Sequence, residues 1–363
     1  MNQRTPLYLE HVGLGARLVP FAGWDMPLHY GSQLQEHHGV RQTAGVFDVS
    51  HMVIVDISGD GARDFLRRLL ANDVARLRTP GKALYSCMLT PQGGVVDDLI
   101  AYFLPPQGYR LVVNAGTAAK DLAWMEAQAD GFPVQIRPRR DLAMLAIQGP
   151  QARDLALPLL PAELGELALG LDPFFGAQAG DWLAARTGYT GEDGLEIMLP
   201  ADQAPSLWRG LLAAGVLPCG LGARDSLRLE AGMCLYGSDM DETTTPLESG
   251  LAWTLAWDPA ERDFLGRGAL QAQREQGSWR KLVGLILDGK GILRGHQVLW
   301  QGERQVGEIT SGGYSPTLDR SIALARVDAD PGTGWEVDIR GRRWPVRQVR
   351  PPFVRHGKVC IEP

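Results

Sequence analysis

The sequence predicts an α+β protein that ends in a separate all-β unit. Three observations predict it. Through residue 278, strand-like runs are mixed with segments of helical periodicity. From Lys281 the helical pattern stops, and K-L-V-G-L-I-L, H-Q-V-L-W, Q-V-G-E-I-T-S-G-G-Y-S-P, S-I-A-L-A-R-V, W-E-V-D-I-R and W-P-V-R-Q-V follow as short strands of a barrel or sandwich. The 363 residues suffice for two or three domains around a large core.

Residues 5–30 mix Gly, Pro and aromatics without periodicity and read as an irregular segment packed over a core. Val46–Ile57 alternates as a strand, and Gly59–Val74 carries Phe65, Leu66, Leu69 and Leu70 at helical spacing. Gly81–Leu89, the turn T-P-Q-G-G and V-V-D-D-L-I-A-Y-F form a hairpin, with Tyr85 and Asp97 on paired strands. Gly108–Asn114 continues the sheet, and Thr117 is the expected cap of the helix after it. Asp141–Ile147 is a further strand, and Asp181–Pro200 holds two strands around a Gly-rich turn. Pro205–Gly215 and Gly220–Gly232 are helices, each closed by glycine. Met233–Trp257 reads as a polar loop and an aromatic strand, followed by a last helix before the all-β unit.

Three stretches carry candidate chemistry. In G-G-V-V-D-D-L-I (93–100), two carboxylates enter an apolar strand, which is costly unless they are paired, hydrogen-bonded or protonated. Side chains alternate across a strand, so Asp97 and Asp98 face opposite ways and one of them can look into a given cavity. The competing reading has both solvated at the turn. T-G-Y-T-G-E-D-G-L-E (187–196) offers Tyr189, Glu192 and Glu196. Its carboxylates would repel phosphate, but suit a planar ligand rich in N–H donors, such as a pterin edge that gives two parallel hydrogen bonds to one carboxylate. A charged hairpin tip is the alternative. In G-L-G-A-R-D-S-L-R-L-E-A-G, Arg224 and Arg228 share a helix face and need acidic partners, with Glu192 and Glu196 the obvious ones, or else an anionic substrate. A structural salt-bridge cluster accounts for them equally well. Asn114 ends a strand at the mouth of a helix, a favourable place for a ligand contact.

Bulk properties exclude other classes. A net charge of −6 leaves no electrostatic footprint for nucleic acid. No apolar run approaches the ~18 residues of a membrane span, and the N-terminus opens no signal or transit peptide. Cys87, Cys219, Cys234 and Cys360 are scattered, which suggests free thiols in a reducing cytoplasm. His37, His38 and His51 fall within fifteen residues, yet adjacent histidines point apart and no Asp or Cys stands at ligand spacing, so structural or capping use outweighs metal. G-L-G-A-R occurs at Gly13 and at Gly220. Neither copy has dinucleotide-turn spacing, which speaks against a flavin or nicotinamide domain.

These motifs, with H-Y-G-S-Q (29–33), F-D-V-S-H-M (47–52), D-E-T-T-T-P-L-E, I-T-S-G-G-Y-S-P and P-P-F-V-R-H-G-K, resemble the aminomethyltransferase (T-protein) family of the glycine cleavage system. The resemblance runs in order along nearly the whole chain. It implies a three-part cloverleaf, with two interleaved α+β lobes over 1–278 around a tetrahydrofolate-binding opening and a β-barrel over 279–363. It implies transfer of methylene from an aminomethyl group on the lipoyl arm of H-protein to tetrahydrofolate, with release of ammonia. It further implies a monomer that uses neither metal nor flavin. Residue by residue, the family's catalytic aspartate falls on Asp97, its pterin-binding glutamate on Glu196 and a substrate-binding arginine on Arg224. Tyr85, Asn114 and Tyr189 resemble further folate contacts, and Arg294 in K-G-I-L-R resembles an arginine near the lipoyl arm. Animal members carry a substrate-contacting tyrosine where Lys358 stands here.

The implied chemistry asks a carboxylate to orient the folate nitrogens and to stabilise developing positive charge. On this reading Asp97 acts and Asp98 faces away. Two other classes share the resemblance. Sarcosine- or dimethylglycine-type oxidases add a flavin domain, and non-catalytic folate-binding relatives would be expected to lose part of the Asp97, Glu196 and Arg224 set that this chain keeps.

Overall fold

The turn between Leu89 and Val95 shows why the sequence folds as it does. Gly93 adopts φ +88°, and a Cβ on Gly94 would lie 1.9 Å from the Glu242 carbonyl oxygen, so both glycines are required. The hairpin they close joins strands Ala83–Leu89 and Val95–Leu104, with Cys87 opposite Asp98 and Met88 opposite Asp97. In this computed structural model, which describes residues 2–361, the hairpin begins a five-stranded antiparallel sheet. Gly108–Val113, Val53–Ser58 and Gln135–Pro138 complete it in that order. Helix Ala62–Leu69 buries Phe65, Leu66 and Leu69 against it.

A second sheet of six strands holds Gly176–Ala179, Trp182–Ala185, Gly194–Pro200, Leu142–Gln148, Gly45–Asp48 and Leu217–Cys219, in that spatial order. The chain enters this sheet at Gly45, leaves to build the whole first sheet, and returns at Leu142. The two lobes therefore interleave, and the expected single strand over Val46–Ile57 is two strands in different sheets. The break has a local cause. Ser50 N–H donates to Asp48 Oδ1 at 2.9 Å, an Asx turn that redirects the backbone.

Residues 5–30 are more regular than the sequence suggests. They form helix Tyr8–Gly13 and the hairpin Arg17–Phe21/Trp24–His29, turned by Ala22 and Gly23 at φ 49° and 81°. Asp48 anchors the segment by accepting from Thr5 Oγ1 at 2.6 Å and bonding His11 Nε2 at 2.9 Å. The expected strand at the end of Met233–Trp257 is absent. The segment is loop with a short 3₁₀ turn at Ala252–Thr254, its backbone bent where Leu251 N–H donates to the Pro246 carbonyl.

Six strands close the C-terminal barrel: Lys281–Leu287, Arg320–Val327, Arg304–Ser315, Val298–Gln301, Glu336–Ile339 and Arg342–Val349. Inward Leu285, Leu287, Ile309, Ala325 and Val337 fill it. No helix among the described residues is long and apolar enough to cross a membrane.

A buried polar knot joins barrel to lobe. Glu230, at the end of helix Leu221–Glu230, accepts from Arg41 Nη2 at 2.8 Å, Ser315 Oγ at 2.5 Å and Thr317 Oγ1 at 2.9 Å. Arg41 Nη1 also donates to Glu192 at 2.6 Å, and His37 Nε2 lies 3.2 Å from Glu230. Removing the carboxylate leaves Arg41 with Glu192 as its one acidic partner and takes the acceptor from the Ser315 and Thr317 hydroxyls, so Glu230→Ala is expected to cost about 1–3 kcal/mol of stability. Urea unfolding measures this, and an unchanged midpoint would remove the knot from any structural role.

Candidate active site

The two lobes and the barrel meet around a cavity of about 720 Å³, within the range of small-molecule sites. The first sheet contributes Tyr85 and Asp98, with Asn114 just past strand Gly108–Val113; the second contributes Glu196, with Tyr189 in the loop before strand Gly194–Pro200; helix Leu221–Glu230 contributes Arg224. Leu282, Leu324, Arg350 and Pro351 reach it from the barrel side, and Phe21 from the N-terminal hairpin. The Met233–Trp257 loop supplies Cys234, Tyr236 and Trp253. Trp253 is 63% exposed and stacks on Tyr85, ring centroids 5.6 Å apart.

Alternation along Val95–Leu104 does divide the two aspartates, in the opposite sense to the expectation. Asp98 lines the cavity; Asp97 is 0% exposed and points beneath the wall. Its carboxylate is consumed by structure. Oδ1 accepts from Asn114 Nδ2 at 2.9 Å, and Oδ2 accepts from Asn114 N–H at 3.1 Å and Thr117 Oγ1 at 2.9 Å. Thr117 gives its hydroxyl to Asp97 instead of capping its own helix, Ala118–Ala127. The assignment of the cavity-facing carboxylate to Asp97 is therefore corrected to Asp98. Asp98 Oδ2 accepts from Tyr85 OH at 2.9 Å, and Oδ1 accepts from Asn114 Nδ2 at 2.9 Å. Burial, and then the adjacent Asp97 charge, push its carboxyl up to about 7.

Across the cavity, Glu196 is 7% exposed and accepts from Thr187 Oγ1 at 2.6 Å. Burial raises its carboxyl above the usual range. Arg224 lies over the Tyr189 ring at 4.6 Å, and burial weakens its hold on its proton. Tyr189 is fixed by donating its hydroxyl to the Cys234 carbonyl. The other polar residues of these motifs go elsewhere. Glu192 is bound to Arg41, and Arg228 to Asp225 at 2.9 Å and Asp239 at 3.1 Å. Glu192 is thus not a partner for Arg224, and Arg228 is not part of the site.

Tyr85, Asn114, Tyr189, Glu196 and Arg224 all line one cavity. Arg294 does not join them; it is exposed on the barrel beside Gln297, whose Oε1 accepts its N–H at 2.9 Å. Lys358 lies exposed in the short strand Lys358–Val359, outside the cavity lining. The histidines are dispersed. His37 bonds Ser226 Oγ at 2.8 Å, whereas His51 lines the cavity edge-on to Phe21. Burial, and then nearby Arg224, lower the His51 imidazole to about 4, so it is neutral. Trp253, Arg350 and His51 were missed as cavity residues; the position of His51 in F-D-V-S-H-M was the available signal.

The GCVT N-terminal domain family matches residues 7–259, and the glycine cleavage T-protein C-terminal barrel domain matches 280–355. The chain belongs to the aminomethyltransferase (T-protein) family. The curated aminomethyltransferase of Pseudomonas syringae pv. tomato is 60% identical over 361 residues, which are 99% of this chain and 100% of that one. That of Chromobacterium violaceum is 59% identical over 361 residues, 99% of each chain. The crystal structure of glycine cleavage system aminomethyltransferase T from Bartonella henselae superposes with TM-score 0.92 at 37% identity, covering 98% of this chain and 99% of that one. An aminomethyltransferase of the glycine cleavage system is thus an enzyme identity carried over the full length, and the interleaved lobes with a C-terminal barrel are the family's architecture.

Proposed function

We propose that the protein transfers methylene from the aminomethyl group on the lipoyl arm of H-protein to tetrahydrofolate, releasing ammonia and forming 5,10-methylenetetrahydrofolate. The observation that carries this reading is the pairing of two carboxylates, half-buried Asp98 and buried Glu196, on one cavity with Arg224. The donor set fits a reduced folate. Glu196 can accept a pterin amine and its neighbouring ring N–H together, a charge-assisted bidentate contact. Aromatic Tyr189 and the Tyr85–Trp253 stack suit a flat ring system.

Bound tetrahydrofolate would supply the nitrogen pair that takes up the methylene. Asp98 then faces the positive charge that grows as carbon loses nitrogen and sulfur, and Tyr85 and Asn114 hold it in place. Two protons released from the accepting nitrogens balance the reaction, one leaving with ammonia and one with the carrier thiol. Arg224, stiffened by Tyr189, offers a fixed cation for an anionic or electron-rich part of the substrate. Asp97 is a positioning residue that locks Asn114. We assign Arg294, on the barrel surface, to the carrier's approach, and the lobes over 1–278 to folate binding, with 279–363 as the barrel domain. The enzyme acts as a cytoplasmic monomer on this reading.

Aminomethyl-loaded H-protein, mixed with enzyme with and without tetrahydrofolate, tests the proposal. Ammonia release and methylenetetrahydrofolate formation that both require folate support it; tight folate binding without turnover would overturn it.

A further inference from the structure

Beneath the cavity wall lies a third carboxylate that the chemistry above does not use. Asp121, on helix Ala118–Ala127, is 0% exposed and adjoins Asp97. Among the described residues neither of its oxygens meets a hydrogen-bond donor. The hydroxyl of Thr117 is given to Asp97, as are the N–H and amide of Asn114. Three acids thus run from the cavity inward, half-buried Asp98 first and then fully buried Asp97 and Asp121.

Among the described residues no ion pair joins a cation to any of the three. Lys120, whose charge acts on Asp121, is held by Glu242 Oε1 at 2.7 Å and Tyr236 OH at 2.7 Å. Tyr85, Cys87, Cys234 and Tyr189 surround Asp98, and burial pushes all four acids up, so they remain neutral. Two carboxylates in contact in a low-dielectric site cannot both ionise cheaply. Asp97 has three donors and Asp121 has none, so the proton belongs on Asp121.

We infer that Asp121 is a neutral carboxylic acid whose O–H donates to Asp97, making the buried Asp97–Asp121 pair a single fixed negative charge behind Asp98. Asp121 is a positioning residue, not a catalytic one. It completes the donor set that holds Asp97, hence Asn114, hence Asp98. Burial, and then the contact with Asp97, raise the Asp121 carboxyl to about 9. Its effect on turnover rests on the proposed role of Asp98, but its protonation does not.

Infrared spectroscopy at pH 8 separates the two. The wild-type protein should show the carbonyl stretch of a protonated carboxylic acid, shifted on ¹³C-aspartate labelling. Asp98→Asn should retain the band and Asp121→Asn should lose it. A wild-type spectrum without such a band overturns the inference, whether or not any variant folds. Because Asp121→Asn replaces one neutral donor by another, the acid limb of kcat/KM should stay where it is. If Asp121 were ionised, that change would remove a charge and move the limb down by about one pH unit, which would also overturn the inference. Asp121→Ala should lower kcat roughly ten-fold with KM for the loaded carrier unchanged, and unchanged kcat would contradict the positioning role.

Discussion

Asp98→Asn is expected to lower kcat by ~10²–10⁴ while tetrahydrofolate affinity changes little. The side chain keeps its shape and can still meet Tyr85, so folding and the cavity survive. What disappears is the negative charge facing the reacting carbon, and such preorganised charge matters mainly in the transition state. The same argument sets a pH dependence. The carboxylate must be ionised to act, and burial with Asp97 pushes it up to about 7. kcat/KM should therefore fall as pH drops through about 7, a limb that steady-state profiles would show and that Asp98→Asn should abolish. Asp97→Asn should behave differently. It turns an amide toward three donors, so it should cost about 1–3 kcal/mol of stability, with a smaller loss of rate through a displaced Asn114. Equal losses of kcat with no destabilisation in Asp97→Asn would contradict this division of labour.

Glu196→Gln should raise the dissociation constant for tetrahydrofolate ~10–100-fold, with little change in fold. The substitution exchanges a bidentate charged acceptor for a neutral amide that presents one oxygen and one N–H. Hydrogen bonds to charged groups contribute about 1.5–3 kcal/mol, and each ~1.4 kcal/mol is a factor of ten in affinity. Calorimetric titration measures it directly. An unchanged constant would mean that the pterin edge is held elsewhere in the cavity.

Much of this architecture was legible in the sequence because local signals agreed with the fold. The regular strands after Lys281 closed into a barrel, and Gly93-Gly94 marked the hairpin that presents the aspartates. Phe65, Leu66 and Leu69 announced their helix by spacing alone. Failures came where tertiary contacts overrode pattern. Val46–Ile57 alternates well enough to read as one strand, yet an Asx turn at Asp48 sends its halves to different sheets. The N-terminal hairpin looks irregular because its turn depends on the positive φ of Ala22 as well as Gly23.

At the site, residue identity was easier to read than direction. Alternation established that one aspartate faces the cavity, but which one depends on the sheet face covered by helix Ala118–Ala127, with Thr117 and Asp121 behind Asp97. Nothing within eight residues of Asp97 encodes that. Glu192 and Arg228 carry the same chemical types as Glu196 and Arg224, and long-range partners, Arg41 and Asp239, remove them from the cavity.

A crystal structure of the enzyme with bound tetrahydrofolate tests the central claim most directly. The account predicts the pterin amine and ring N–H on Glu196, with the reactive nitrogens turned toward Asp98 and Asp97 still buried beneath Asn114. A folate whose reactive nitrogens face away from Asp98, or a pterin bound without Glu196, would contradict it.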